Sequence, residues 1–110
     1  MKTIKTVNKV IILGYVISDP IIKETDGGKM AYIPVLTKET DKNGVEHKEK
    51  HDIIVWGNLV SVIEEACKKD MVVYVEGRKQ TKVYSLENGV SSIYEVVAKD
   101  FVILDKWESK

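Results

Sequence analysis

The sequence predicts an all-β barrel of five strands in Greek-key order, with one α-helix between the third and fourth strands. Three observations carry that prediction. Stretches dense in Val, Ile and Tyr recur along the chain and are cut by Asp-Pro, Gly-Gly and Asn-Gly turn signals. Only the stretch after Gly57-Asn58 spaces its apolar residues as a helix does. The length of 110 residues suits one domain with one core.

The first strand covers 8–17, and Asp19-Pro20 ends it. A short extended piece follows at 21–24, and Asp26-Gly27-Gly28 turns the chain back, because glycine supplies positive φ cheaply. The second strand is 30–37. Pro34 inside it lacks an N–H, so one backbone position there is expected to lie unpaired, at an edge or a bulge. Residues 38–50 are polar, centre on Asn43-Gly44, and read as a long hairpin loop. The third strand is 51–56. Gly57-Asn58 stops it, with Asn58 as candidate N-cap. Leu59, Val62, Ile63 and Ala66 then recur at helical spacing. Lys68 and Lys69 are expected to close the last turn, where the helix dipole favours cations. The fourth strand, 71–84, carries Gly77 in its middle, which predicts a bulge or sharp bend. Asn88-Gly89 turns the chain into the last strand, 92–104. Long bent strands in this order, with a single helix, predict a closed barrel of the OB type. Trp107, beyond the last strand, is expected to close the barrel end.

Lys and Arg total 17, as do Asp and Glu, so the formal net charge is zero. That excludes a histone-like polycation but not a local basic footprint. The charges are unevenly spread. Residues 1–10 carry Lys2, Lys5 and Lys9 with no acid, and residues 72–84 carry Arg78, Lys79 and Lys82 against Glu76 alone. The stretch 38–50 holds Lys38, Lys42, Lys48 and Lys50 against Glu39, Asp41, Glu46 and Glu49, and reads as a solvated mobile hairpin whose lysines touch phosphate occasionally. The single cysteine, Cys67, forms neither an internal disulfide nor a cysteine zinc site and reads as a small hydrophobe. The apolar run 10–13 is too short for a signal core or a membrane span, so an intracellular, cytoplasmic chain is expected. His47 and His51 beside scattered acids read as surface, so no metal site, no cofactor and no enzyme chemistry are expected.

Strand parity sorts the candidates. In the third strand Lys50, Asp52, Ile54 and Trp56 share one face, and His51, Ile53 and Val55 the other. The second set reads as core. The first is half polar yet ends in tryptophan, as an exposed binding face does. In the fourth strand Arg78, Gln80, Lys82 and Tyr84 share a face, provided the bend at Gly77 precedes them. Tyr32 alternates with core positions in the second strand and is a further candidate for contact with a base.

These segments resemble a known family. The opening 7–14, Asp19-Pro20, Gly28 with the 30–37 strand, 53–59, Lys69-Asp70, 73–77 and 94–98 resemble, in uninterrupted order over residues 7–104, the bacterial and phage-type single-stranded DNA-binding proteins. The resemblance implies an OB fold that binds single-stranded DNA and assembles as a homo-oligomer, dimer or tetramer. Stacking aromatics meet the bases and cations track the phosphates. It implies stacking at Trp56 and Tyr84, and basic contacts at Lys9 and Lys82. Tyr32, Lys38, Lys50, Ile54, Arg78 and Lys79 complete the expected DNA-binding set, and Val7, His51 and Tyr74 fall at assembly or packing positions.

Departures accompany the match. Lys50 stands where the family has an aromatic, Asp41 or a neighbour replaces another, and Asp52 and Gln80 replace basic residues. Tyr15 and Ile17 stand where Asn and Gly are frequent. Weaker, more salt-sensitive binding or a shifted strand path is expected. The resulting expectation is sequence-independent binding and protection of single strands in DNA replication, recombination or repair, in a bacterial cell or phage-infected host, near the nucleoid. The alternative is a primosome-like OB-fold adaptor acting through an apolar outer face. A small nuclease would need an acidic metal cluster. The chain ends at Trp107-Glu108-Ser109-Lys110 without the Gly/Pro-rich, acidic-tipped tail of long family members. One domain over 1–110 is therefore expected, as a phage or mobile-element form, a primosome-type relative or a shortened chain, without tip-mediated recruitment of replication enzymes.

Overall fold

The computed structural model describes residues 4–106, without the side chains of Tyr84, Asp105 and Lys106. Trp107, expected to close the barrel end, lies outside the described residues. The elements run β1 (Val10–Val16), β2 (Ile21–Thr25), β3 (Gly28–Thr40), β4 (Glu46–Trp56), α1 (Leu59–Ala66), β5 (Met71–Leu86) and β6 (Gly89–Lys106). The sheet order is β1-β5-β6-β4-β3-β2, and a further β1–β3 pairing closes it. Five strands therefore form the ring, as predicted, with β4 and β6 as the parallel pair at Ile53↔Val96 and Ile54↔Val97. The extended piece at 21–24 is a strand as well: β2 pairs with β3 from Ile21↔Tyr32 to Thr25↔Gly28, along the same edge that β1 occupies.

Pro34 sits opposite the break between those two strands. Its carbonyl accepts from the Ile17 N–H at 3.1 Å. A strand residue points its N–H and C=O to the same side, so the missing N–H faces the chain between β1 and β2 and costs no ladder bond. Gly14 lies where β1 crosses β3. A Cβ there would stand 2.5 Å from the Leu36 carbonyl oxygen, so closure needs glycine.

The barrel is filled from every strand of the ring: Ile12 and Val16, Ala31, Ile33 and Val35, Ile53 and Val55, Val73 and Val75, Val96 and Phe101 are all buried. These positions alternate along β1, β3, β4 and β5, as period 2 requires. The helix packs against β3 and β4. Its buried stripe is Val60, Ile63 and Cys67, with Leu59 half-buried, whereas Val62 and Ala66 face out. The buried stripe is therefore not the expected Leu59, Val62, Ile63 and Ala66: only Ile63 of that set is fully buried. Two expectations about the helix ends fail. Asn58 is helical in φ and ψ and makes no side-chain cap. The helix ends at Ala66, so Lys68 and Lys69 lie beyond its last turn, where the Lys69 N–H instead donates to Asp19 Oδ1 at 2.8 Å.

The largest difference concerns 38–50. It is not a long loop: β3 and β4 stay paired out to Thr40↔Glu46, and only 41–45 turns. Its polar composition hid the pairing, because a two-stranded ribbon in water has no apolar face to betray it. The β5–β6 hairpin also extends to Leu86↔Gly89. These two ribbons project from the barrel. The radius of gyration is accordingly 16.1 Å, against about 13 Å for a compact domain of ~100 residues.

Gly77 behaves as predicted. The β5–β6 register shifts between Glu76 and Gly77, so Glu76 faces Asp100, Gly77 faces Ala98, and Lys99 is left over. A Cβ on Gly77 would stand 2.1 Å from the Val97 carbonyl oxygen. The extra residue resets the parity of β6: Phe101 and Ile103 are paired with core positions before the bulge, and Ala98 and Val96 take the inner face after it.

Candidate nucleic-acid interface

Directly paired residues share a face of the sheet. The pairs Tyr32↔Ile54, Ile54↔Val97 and Val97↔Arg78 therefore link β3, β4, β6 and β5 into one outer surface. Along that surface β3 presents Tyr32, Leu36 and Lys38, and β4 presents Lys48, Lys50, Asp52, Ile54 and Trp56. Arg78, Gln80 and Lys82 continue it on β5. Tyr84, at the Ser91 register position, shares the parity of this row; its side chain is outside the described part of the structure.

Trp56 is 41% exposed, beside the β2–β3 turn: its ring atom Cζ3 lies 4.0 Å from where a Cβ on Gly27 would stand. It is not covered by a loop. Tyr32 is half-buried and donates its hydroxyl to Asp52 Oδ1 at 2.6 Å; burial and that bond raise its pKa. Lys50 Nζ lies 3.6 Å from the same carboxylate oxygen, and hydrogen bonding with Tyr32 together with the Asp52 charge raises the Lys50 pKa. Asp52 thus orients both a ring and an ammonium. Ile54 is 4% exposed, so it serves as the floor between Tyr32 and Trp56.

Hairpin pairing sorts the charges that cancel in composition. Lys38 stands directly opposite Lys48, and Leu36 opposite Lys50, on the outer face. Glu39↔His47 and Thr37↔Glu49 occupy the other face. Two like charges facing each other cost up to about 1 kcal/mol, a cost that the Glu46 carboxylate, 3.5 Å from Lys48 Nζ on the same face, partly offsets. Lys38 Nζ also lies 5.4 Å from the centre of the Tyr15 ring. Lys48 was hidden by the loop assignment, although 38 and 48 are symmetric about residue 43. That symmetry was the available signal.

Two predicted cations lie elsewhere. Lys79 belongs to the opposite face of its strand, with Nζ 4.2 Å from the centre of the Tyr94 ring. Its backbone is clamped by Asn8, whose Nδ2 donates to the Lys79 carbonyl at 2.8 Å while Oδ1 accepts from its N–H at 2.9 Å. Lys9 pairs with Glu76 at 3.0 Å, and their hydrogen bond raises the Lys9 pKa and lowers that of Glu76. Lys9, Arg78 and Lys99 line a groove of about 440 Å³ at the Gly77 bend. Lys99 was not a candidate: Gly77 predicts a bend, but which residue of β6 is left over there is set only by the strand pairing.

Among the assembly candidates, Tyr74 pairs with Leu13 and with Val102 on the outer face of β1, β5 and β6. Ile11, Leu13, Val102 and Leu104 are exposed around it. His51 is half-buried, with Nε2 2.9 Å from Thr37 Oγ1, and Val7 is exposed ahead of β1. Cys67 is buried, and burial pushes its pKa up to about 11, which makes it a poor nucleophile. Among the described residues no cluster of His, Cys, Asp and Glu is placed to hold a metal ion, and no helix is long and apolar enough to cross a membrane.

Residues 7–104 match the Single-strand binding protein family. The single-stranded DNA-binding protein of Rhizobium meliloti (strain 1021) is 38% identical over 91 residues, which cover 76% of this chain and 52% of that protein. The single-stranded DNA-binding protein of Neisseria meningitidis serogroup B (strain ATCC BAA-335 / MC58) is 33% identical over 105 residues, covering 90% of this chain and 60% of that protein. The chain thus spans between about half and three-fifths of these relatives. Among solved structures, a Plasmodium falciparum SSB in complex with ssDNA superposes with a TM-score of 0.84 at 28% identity, covering 94% of this chain and all of that one. A deletion mutant of the single-stranded DNA binding protein from Thermus aquaticus superposes at 0.75 with 21% identity, over 90% of this chain and 51% of that one, a likeness of fold. With the matched segment spanning the barrel, its helix and both ribbons, this chain is a member of the single-strand binding protein family.

Proposed function

We propose that this chain binds single-stranded DNA without strict sequence preference, along the outer face of β3, β4, β6 and β5. The carrying observation is the strand register, which gathers Lys38, Lys48, Lys50, Arg78 and Lys82 on the face that presents Trp56 and Tyr32. Rings there stack on unpaired bases, each worth ~1–3 kcal/mol, and every base has a π-face to offer. The cations neutralise phosphates, and Lys9, Arg78 and Lys99 extend their path into the groove at the bend. Tyr84 is assigned a further stacking position near the ribbon end. Family membership and the ssDNA-bound structural neighbour support this reading. The chain acts by covering and protecting exposed strands during replication, recombination or repair, as a binding protein rather than an enzyme.

Titration with oligo-dT tests it. Tryptophan fluorescence is expected to fall on binding at low salt, and the affinity to weaken as salt rises. Trp56→Ala is expected to lose about 1–3 kcal/mol of binding. No response to oligo-dT at low salt would overturn the reading, and an unchanged affinity in the variant would remove Trp56 from the stacking set.

The same reading includes self-assembly. The outer patch of Ile11, Leu13, Tyr74, Val102 and Leu104 is apolar and borders the groove at the bend through Glu76, which pairs with Ile11. A second copy covering it buries that area on both partners. Leu13→Glu is then expected to shift the sedimentation coefficient to that of a monomer; a wild-type chain that sediments as a monomer would exclude the assembly.

A further inference from the structure

We infer that the cleft between β4 and β6 is a base-reading subsite that favours guanine, with Glu95 as its acceptor and Lys82 as its donor. The inference rests on the strand-binding reading above and adds a preference that reading lacks.

The parallel pairing of β4 with β6 is recorded at Ile53↔Val96 and Ile54↔Val97. Beside it lies a cleft of about 480 Å³ that runs between the two faces: Lys50, Asp52, Ile93 and Glu95 line its outer side, His51 and Lys79 its inner side, and Lys82 borders it through Glu95. That is within the size range of pockets that take small planar ligands. Glu95 pairs with Gln80, so it belongs to the same outer surface as Lys82 and Arg78.

Glu95 is the one charged residue in the buried set among the described residues, at 7% exposure. Its Oε1 is shielded from solvent and accepts no hydrogen bond from the described residues. The Lys82 ammonium stands 3.9 Å from that oxygen, an ion pair too long for a hydrogen bond. A buried carboxylate oxygen without a donor is costly, and native folds keep few of them. A carboxylate only accepts, so whatever completes this site must bring an N–H or O–H. The phosphodiester backbone brings neither and is itself an anion. The bases of a single strand do, because their pairing edges are free.

The four edges differ in fit. Guanine places N1–H and N2–H side by side, two donors for a carboxylate, and O6 next to them, an acceptor for the neighbouring ammonium. Adenine and cytosine each offer one amino group beside a bare ring nitrogen. Thymine has one N–H between two carbonyl oxygens, both of which repel Glu95 and the nearby Asp52. Ile93, 38% exposed, supplies an apolar wall for the ring. Guanine therefore ranks first and thymine last.

The test is a competition between two labelled oligomers of equal length, all-thymine and thymine with isolated guanines, spaced to prevent guanine quartets. The guanine-bearing strand is expected to bind about tenfold tighter, the discrimination of one good bidentate contact. Inosine in place of guanine removes only the N2 amine, and is expected to forfeit most of that gain. Glu95→Gln is expected to bind both strands alike. Equal affinity of the wild-type chain for the two strands would overturn the inference while leaving strand binding intact, and so would inosine binding as well as guanine. The inosine arm decides the matter even if the variant does not fold. Failure to bind any strand would instead overturn the reading on which the inference rests.

Discussion

The two ribbons that leave the barrel use the same period-2 alternation but are braced at opposite ends. The β3–β4 ribbon is held at its tip. Asp41 Oδ1 accepts from the Asn43 and Val45 N–H groups at 2.9 and 3.0 Å, and Oδ2 lies 2.9 Å from His47 Nε2. The β5–β6 ribbon is held at its base, by the glycine bend at 77 and the Asn8 clamp on Lys79. Their faces differ as well. The first ribbon sets Lys38, Lys48 and Lys50, with Glu46 among them, against Glu39, Glu49 and His47 on the reverse face. The second divides Arg78 and Lys82 from a face on which Val83, Val90 and Tyr94 are exposed. Alternation alone therefore separates the side chains, and the brace decides where the separated face points.

That contrast can be broken first at the glycines. Gly77→Ala drives a Cβ into the Val97 backbone and is expected to cost about 3 kcal/mol, an overpacking that the main chain must absorb. Gly44→Ala, at φ +80 in the other turn with open space around it, is expected to cost only ~1 kcal/mol. Urea midpoints with unchanged m-values measure both. Similar losses would show that the bend is not a special brace.

The next test concerns the divided charges. Replacing Lys38, Lys48 and Lys50 together by Ala is expected to reduce the slope of log affinity against log salt by about 2, at ~0.7 per phosphate for single strands. Glu39→Gln with Glu49→Gln, on the reverse face, is expected to leave the slope unchanged. Equal effects from the two sets would mean that the ribbon acts through its net charge and that the pairing is irrelevant.

The smallest expected effect is a pH response confined to one tip. The His47 contact and two backbone N–H groups hold the Asp41 carboxyl below its ordinary value. A depressed carboxyl pKa stabilises the fold above the ordinary carboxylate range, and that contribution is lost as pH falls through the depressed value. The Asn43 and Val45 amide proton resonances are expected to keep their positions from neutral pH to the carboxylate range and move only below it. The Asn88 turn serves as the internal comparison. A shift of both turns together would point to global unfolding instead.

Much of the barrel was legible because its inner positions are β-branched and alternate: Ile33 and Val35, Ile53 and Val55, Val73 and Val75 announce both the strand and its buried side. The site was legible where one strand carried the whole pattern, as with Lys50, Asp52, Ile54 and Trp56. It was not legible where it depended on a partner strand. Lys48 became part of the face only through pairing with Lys38, and Lys79 left it through parity. Glu95 read as an ordinary strand residue because nothing local reveals that its carboxylate is enclosed.

Period and turn chemistry already mark the five strands of the ring, the helix after Gly57-Asn58, the bend at Gly77 and the family to which the chain belongs. Those properties are local: period, turn chemistry and the absence of a Cβ are written residue by residue. Only the tertiary structure decided that 38–50 is a ribbon, which helix stripe turns inward, and where the cations gather. Each of those depends on register, and register is a relation between distant segments. The zero net charge shows the difference: composition averages 17 cations against 17 anions, whereas strand pairing sets Lys38, Lys48, Lys50, Arg78 and Lys82 on the face that carries Trp56, against Glu46, Asp52 and Glu95.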